Sequence, residues 1–325
     1  MHQQHPGLTA TLCHIGASLV FAGLTVLSDH ASAQASAQAN AQASAQTSAQ
    51  ATPEKFQDLQ ISRSGEGRPV LMIPGLNSPA SVWTETCAQL QPGVRCLMVQ
   101  LPGFAGSPAL SKPEDFLQQM KGQLQALLQQ EAPQGATVVG HSLGGVLGLM
   151  LAADKQGQTT VKQLVVVDAL PFLPGIQNPA ATVEQVKPMA EGMRQGMRNA
   201  PAEGLRAQLT PMMAGMTRQS ERIEDLVQWG LSSDRHTTAQ AMYELWTTDL
   251  RPLLPQIQVP TTVLGAWAAY ERMGSTQAST RAIFERQYAD LKGLNLQMSD
   301  KGYHFLMWDD PSLVVGAIKK ALVTN

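Results

Sequence analysis

The chain has 325 residues and a formal net charge of -2, with 43% hydrophobic and 15% charged side chains. This length and apolar content allow one large α/β domain with a single core. Because Lys and Arg are not in excess, the sequence lacks the basic stripe that binds phosphate backbones, and we expect no nucleic-acid partner.

The beginning of the chain resembles an export signal. Residues 8–27 are an apolar stretch, and Ala31-Ser32-Ala33 has the small-x-small form that signal peptidase cleaves. We therefore predict a signal peptide over residues 1–33, a periplasmic or secreted protein, and no stable membrane anchoring after cleavage. A retained membrane anchor is the alternative, since the stretch is long enough to span a bilayer.

A low-complexity linker is predicted next, over residues 34–55, where Ala, Ser and Gln repeat without large apolar side chains. Such a composition cannot bury enough surface to offset its ordering entropy. The predicted folded domain covers residues 56–325. Its two cysteines, Cys87 and Cys96, form either a disulfide, as exported proteins often have, or two buried free thiols.

From Pro69 onward, short apolar runs alternate with amphipathic segments, which predicts an α/β fold with a mainly parallel sheet covered by helices on both faces. The predicted strands fall near residues 69–75, 94–108, 136–142, 161–172, 259–267 and 294–302, the second of them ending in a glycine-rich loop. The predicted helices fall near residues 80–90, 111–130, 143–154, 279–291 and 311–325.

The alternation stops over residues 173–251, where Met-rich helical stretches replace the strands. We predict that this insertion is a helical lid over the carboxyl edge of the sheet. Methionine is an adaptable apolar filler, so Met193, in a stripe of methionines at four-residue spacing, is a candidate for the wall of a substrate pocket. Core packing is the alternative role of that stripe.

The motif Gly140-His141-Ser142-Leu143-Gly144 lies between a valine-rich strand and an apolar helix. A G-x-S-x-G sequence in this context forms a strained turn that presents the serine oxygen at the head of the sheet, so Ser142 is the predicted nucleophile. An ordinary tight connection is the structural alternative.

A serine hydroxyl needs a base, and the predicted mature chain has three histidines. His141 adjoins the serine and should point away from it, and His236 lies in a polar segment of the insertion. His304 follows the last predicted strand, at the edge where Ser142 emerges, and is the predicted base.

Taken together, these motifs resemble the α/β-hydrolase family over about residues 60–322. The shared features are the strand order, the "GHSLGG" turn, the "PG" loop after the first core strand, the insertion, and a histidine after the last strand. The resemblance implies a serine hydrolase with the chain order Ser, acid, His.

The acid departs from the common family pattern, because Ala268 occupies the position where family members usually carry Asp. Two candidates remain. Asp168 follows "VVV" at the end of the preceding strand, where some family members place their acid, and Glu271 lies later on the same loop as Ala268. We favour Asp168, because a carboxylate at the end of a buried strand is costly without a partner.

The family's oxyanion hole would correspond here to the backbone N–H groups of Leu143, after the nucleophile, and of Leu76, in the "PGLNS" loop. The Asn77 side chain is a further candidate in that loop. Phe172, Trp267 and Tyr270, on loops at the same edge, are candidate pocket residues.

These features predict an exported serine hydrolase that cleaves small-molecule carboxylic esters through an acyl-enzyme. No metal set or dinucleotide motif is present in the sequence, so we expect no cofactor. An acyltransferase or amidase is the alternative within enzymes, and a binding protein that retains the fold without turnover is the alternative outside them.

Overall fold

The computed structural model describes residues 53–155 and 157–323. Its centre is an eight-stranded sheet with the order β1-β2-β4-β3-β5-β6-β7-β8. At one edge β1 pairs with β2, and β2 with β4, in antiparallel orientation. The remaining pairs, β4-β3, β3-β5, β5-β6, β6-β7 and β7-β8, are parallel. The strands are β1 (Glu54–Phe56), β2 (Leu59–Ser64), β3 (Arg68–Ile73), β4 (Val94–Gln100), β5 (Ala136–His141), β6 (Val161–Val167), β7 (Thr261–Gly265) and β8 (Leu294–Met298).

Helices connect the parallel strands and cover both faces of the sheet. They are α1 (Thr84–Leu90), α2 (Phe116–Glu131), α3 (Leu143–Ala153), α4 (Gly157–Thr160), α5 (Val183–Asn199), α6 (Leu205–Ala214), α7 (Ile223–Ser232), α8 (Arg235–Thr247), α9 (Gln277–Gln287), α10 (Leu306–Asp309) and α11 (Pro311–Val323). Short 3₁₀ turns cover Ala80–Trp83, Leu173–Ile176, Ser220–Arg222, Arg251–Gln256 and Ala268–Met273.

The apolar strands of the sequence are buried on both faces, which explains their lack of alternation. In β3, Leu71 and Ile73 pack into one core layer, whereas Val70 and Met72 pack into the other. α3 lies wholly inside the first layer, with every residue buried. The predicted α/β fold with helices on both faces is confirmed.

The sequence patterns missed two strands, β1 and β2. β2 is half exposed and alternates buried with partly exposed residues, so it lacks the continuous apolar run that marks the central strands. β1 starts at Glu54, inside the segment predicted as linker. The predicted signal peptide and the first part of the predicted linker, to residue 52, lie outside the described residues.

The predicted lid contains the helices α5 to α8, which lie in the connection from β6 to β7; α5 packs against α8 and α6 against α7. Glu244 of α8 anchors the lid to the sheet layer. Its two carboxylate oxygens accept the Phe116 and Leu117 N–H groups, each at 2.8 Å. These N–H groups belong to the first turn of α2 and have no acceptor within that helix, so a lid residue caps a core helix. Within the described ranges, no helix is both long and apolar enough to cross a bilayer.

Cys87 of α1 and Cys96 of β4 form a disulfide, with Cα atoms 6.2 Å apart and a sequence separation of 9. Of the two alternatives for these cysteines, the structure contains the bridge. It joins a surface helix to a buried central strand.

Replacing both cysteines, Cys87→Ala with Cys96→Ala, should lower the free energy of unfolding by about 2–3 kcal/mol, because a short closed loop is released in the unfolded chain. Urea denaturation of the oxidised protein and the double variant measures the difference. The reduced wild type is the control, and its free energy of unfolding should lie between those of the oxidised protein and the double variant or equal that of the variant. Equal stability of the oxidised wild type and the variant would contradict a stabilising bridge.

Candidate active site

Ser142 and Asp168 emerge side by side at the carboxyl edge of the sheet. In the register of β5 and β6, His141 lies opposite Val167, so each candidate residue is the first beyond its strand. The Ser142 N–H donates to Val167 O at 3.0 Å, and the Asp168 N–H donates to Leu264 O at 2.7 Å. The neighbouring strands therefore hold the backbone of both residues.

Both residues have left-handed backbone conformations, with φ of 54° at Ser142 and 48° at Asp168. Such conformations cost about 1–3 kcal/mol each for residues with a Cβ, and they tend to cluster at functional sites. At Ser142 the chain also turns directly from β5 into α3. The predicted strained turn is therefore present.

Two glycines allow the serine turn to touch the loop after β3. A Cβ on Gly144 would lie 2.2 Å from Ile73 O, closer than any side chain tolerates. A Cβ on Gly75 would lie 3.2 Å from the Ser142 Cβ. The "PGLNS" loop is therefore directly beside Ser142.

The candidate oxyanion donors flank this contact. Leu143 is the first residue of α3, where N–H groups have no intrahelical acceptor and the helix dipole favours negative charge. Leu76 follows Gly75, the residue whose backbone lies against Ser142. Their role as donors to an oxyanion stays a prediction.

The acid that contacts His304 is Asp168. The His304 Nδ1–H donates to Asp168 Oδ2 at 2.6 Å, and the Ala266 N–H donates to Asp168 Oδ1 at 2.8 Å. The two side chains are 25% and 15% exposed. Glu271 lies on the Ala268–Met273 turn with an exposed side chain.

His141 supports His304 from the serine turn. Its Nε2–H donates to the His304 carbonyl oxygen at 3.0 Å, and the two rings lie 4.5 Å apart between centroids. Burial, with His304 as a second cause, holds the pKa of His141 well below its usual value. His141 is therefore a neutral donor with a fixed tautomer.

The other candidate pocket residues differ in their placement. Asn77 Oδ1 accepts the Thr238 hydroxyl of α8 at 2.7 Å, which joins the "PGLNS" loop to the lid. Trp267 follows Ala266, the residue bonded to Asp168, and is half-buried. The pKa of Tyr270 is raised by burial of its hydroxyl and then by the Asp168 charge, and the residue as a whole is 51% exposed.

The two remaining candidate pocket residues are Met193 and Phe172. Met193 is 36% exposed on α5, and its pocket role stays a prediction. Phe172 is fully buried, with the Arg251 guanidinium 4.5 Å from its ring centroid. The pocket role of Phe172 also stays a prediction.

Sequence patterns did not single out Asp309, which bonds the segment around His304. Its Oδ2 accepts the Tyr303 N–H at 2.8 Å, and its Oδ1 accepts the Thr217 hydroxyl at 2.8 Å. In "WDDP" nothing distinguishes Asp309 from Asp310, and both read as caps of the closing helix. Only the folded chain separates their roles.

The buried neutral His141 predicts a pH dependence of stability. Below about pH 6.5 the unfolded chain binds a proton at this residue that the folded protein does not. The free energy of unfolding should therefore fall as the pH is lowered from 6.5, by about 1.4 kcal/mol per unit from this group.

His141→Gln should remove that part of the slope, because glutamine places an amide N–H near the position of Nε2 without titrating. Urea denaturation at several pH values between 7 and 5 measures it. An unchanged slope in His141→Gln would contradict the buried neutral state.

The chain is similar in sequence to known proteins. A model of the alpha/beta hydrolase family matches residues 70–317. Among curated proteins, the pimeloyl-[acyl-carrier protein] methyl ester esterase of Legionella pneumophila is 24% identical over 237 residues, covering 72% of this chain and 88% of that protein.

Solved structures share the fold at low identity. The enol-lactonase from Burkholderia xenovorans has a TM-score of 0.65 at 17% identity, covering 84% of this chain and 100% of that one. An esterase from Exiguobacterium antarcticum has a TM-score of 0.64 at 19% identity, covering 81% and 94% of the two chains. Since the family model matches most of the sequence, the chain belongs to the alpha/beta hydrolase family.

Proposed function

We propose that this hydrolase cleaves carboxylic esters of small molecules, with Ser142 as nucleophile, His304 as general base and Asp168 as the acid that orients His304. Esterases among its relatives support the reaction class. The observation that carries the residue assignment is the 2.6 Å bond from His304 Nδ1 to Asp168 Oδ2, beside the strained Ser142 turn.

The proposed chemistry follows from that bond. With Nδ1–H donated to Asp168, the Nε2 atom of neutral His304 is left as the acceptor. His304 takes the Ser142 proton as Oγ bonds to the ester carbonyl carbon, and the carbonyl oxygen becomes an oxyanion facing the Leu143 and Leu76 N–H groups.

The tetrahedral intermediate then expels the alcohol, which receives the proton from His304, and leaves an acyl group on Ser142. Water attacks this acyl-enzyme as His304 takes its proton, and the carboxylic acid is released with the Ser142 hydroxyl restored. Asp168 remains ionised and stabilises the imidazolium in both steps.

Export of the protein is part of the proposal. The apolar stretch and Ala31-Ser32-Ala33 sequence support a signal peptide over residues 1–33. The Cys87–Cys96 disulfide also supports it, because disulfides persist in oxidising compartments. An exported enzyme would act on a free small-molecule ester.

Ser142→Ala tests the function directly. The wild type should be labelled by a fluorophosphonate and hydrolyse a short-chain p-nitrophenyl ester, and the variant should lose the label and about 10⁶ in kcat. Ser64→Ala, at an exposed serine of β2, is the matched control and should behave as wild type. A wild type that neither labels nor turns over would instead favour a binding protein with this fold.

Asp168→Asn and Glu271→Gln test the acid. Asp168→Asn should lower kcat about 10⁴-fold, because His304 loses the acceptor that fixes its tautomer. Glu271→Gln, which removes an exposed carboxylate, should stay within about 2-fold of wild type. Steady-state kinetics on the same ester measures both. Loss of activity only in Glu271→Gln would overturn the assignment of Asp168.

A further inference from the structure

The backbone of three consecutive residues around His304 is held by three different parts of the molecule. Asp309 of α10 accepts the Tyr303 N–H at 2.8 Å. His141, at the serine turn, donates to the His304 carbonyl at 3.0 Å, and the lid residue Met216 accepts the Phe305 N–H at 3.0 Å. The backbone of the segment that carries the predicted general base is thus bonded to three other parts of the molecule.

Asp309 differs from the other two contacts because its carboxylate also bonds the lid. Oδ1 accepts the Thr217 hydroxyl at 2.8 Å, and the Arg218 N–H lies 3.1 Å from Oδ1 and 3.0 Å from Oδ2. Asp309 and Thr217 are 9% and 2% exposed. A buried carboxylate with donors on both oxygens has a fixed orientation, and Oδ2 is therefore fixed where the Tyr303 N–H meets it.

We propose that Asp309 is a positioning residue for the reaction: it aligns His304 by holding the preceding N–H, and the Arg218 N–H of the lid, which contacts both carboxylate oxygens, keeps its carboxylate in place. This rests on the proposed function of Ser142 and His304. A hydrogen bond keeps the donor nitrogen and acceptor oxygen within about 2.7–3.2 Å of each other, so Asp309 fixes the His304 segment on the scale that proton transfer requires.

The variant that tests this positioning role replaces the Asp309 carboxylate with an amide. Asp309→Asn keeps the size of the side chain but replaces one acceptor oxygen with an NH₂ group. That group must then face either the Tyr303 N–H or the lid donors, and two donors cannot bond each other. The His304 segment is displaced, and a displacement of about 1 Å costs about 10²-fold in rate.

Thr217→Val is the matched control, because it removes a buried hydrogen bond from the same carboxylate but leaves the Tyr303 N–H and Arg218 N–H bonded. Asp309→Glu is the second variant. It keeps the charge and moves the carboxylate by one methylene.

The experiment is steady-state hydrolysis of a short-chain p-nitrophenyl ester, with active sites counted by fluorophosphonate titration so that misfolded protein does not contribute. Per titrated site, Asp309→Asn should lose about 10²-fold and Asp309→Glu about 10-fold in kcat, with KM within about 3-fold. Thr217→Val should keep kcat within about 3-fold.

Three different results would contradict the role proposed for Asp309. Wild-type kcat per site in both Asp309 variants, with only the number of active sites reduced, would show a purely structural role and overturn the inference alone. An equal kcat loss in Thr217→Val would assign the effect to general loosening of the cluster and overturn it as well. A wild type with neither label nor turnover would overturn the proposed function and, with it, this inference.

Discussion

The register between β5 and β6 is the constraint on which the candidate site depends. Because His141 pairs with Val167 in a parallel sheet, Ser142 and Asp168 leave the sheet at the same edge and at the same level. Each then takes a left-handed turn while its N–H continues the hydrogen-bonded ladder to the next strand. A shift of this register by one residue would reverse the side chains of β6 and move Asp168 away from His304.

The same register explains why the acid can follow β6. The end of β7 supplies a backbone group in place of a carboxylate, since the Ala266 N–H bonds Asp168 Oδ1. Ala268, at the position that usually carries the acid in this family, leaves that strand end free to support its neighbour. The segment after β8 then brings His304 to Asp168, so the candidate residues come from the ends of three strands.

Local sequence was enough to predict the central strands, the helical insertion, and Ser142 and His304 as candidates, because each rests on a periodicity or on a short motif. It was not enough for β2, whose position near the edge of the sheet gives a mixed pattern. The links from Asp309 to Tyr303 and from Glu244 to α2 join segments that only folding brings together, and single residues in polar stretches carry no pattern that reveals them.

The central claim, that Asp168 holds the Nδ1 proton of His304, is tested most directly by proton NMR of the folded protein. A proton shared between an imidazole nitrogen and a carboxylate resonates far downfield of the backbone amides. We expect such a resonance in the wild type and in Glu271→Gln, and its loss in Asp168→Asn and in His304→Ala. A resonance that persists in Asp168→Asn and disappears in Glu271→Gln would contradict it.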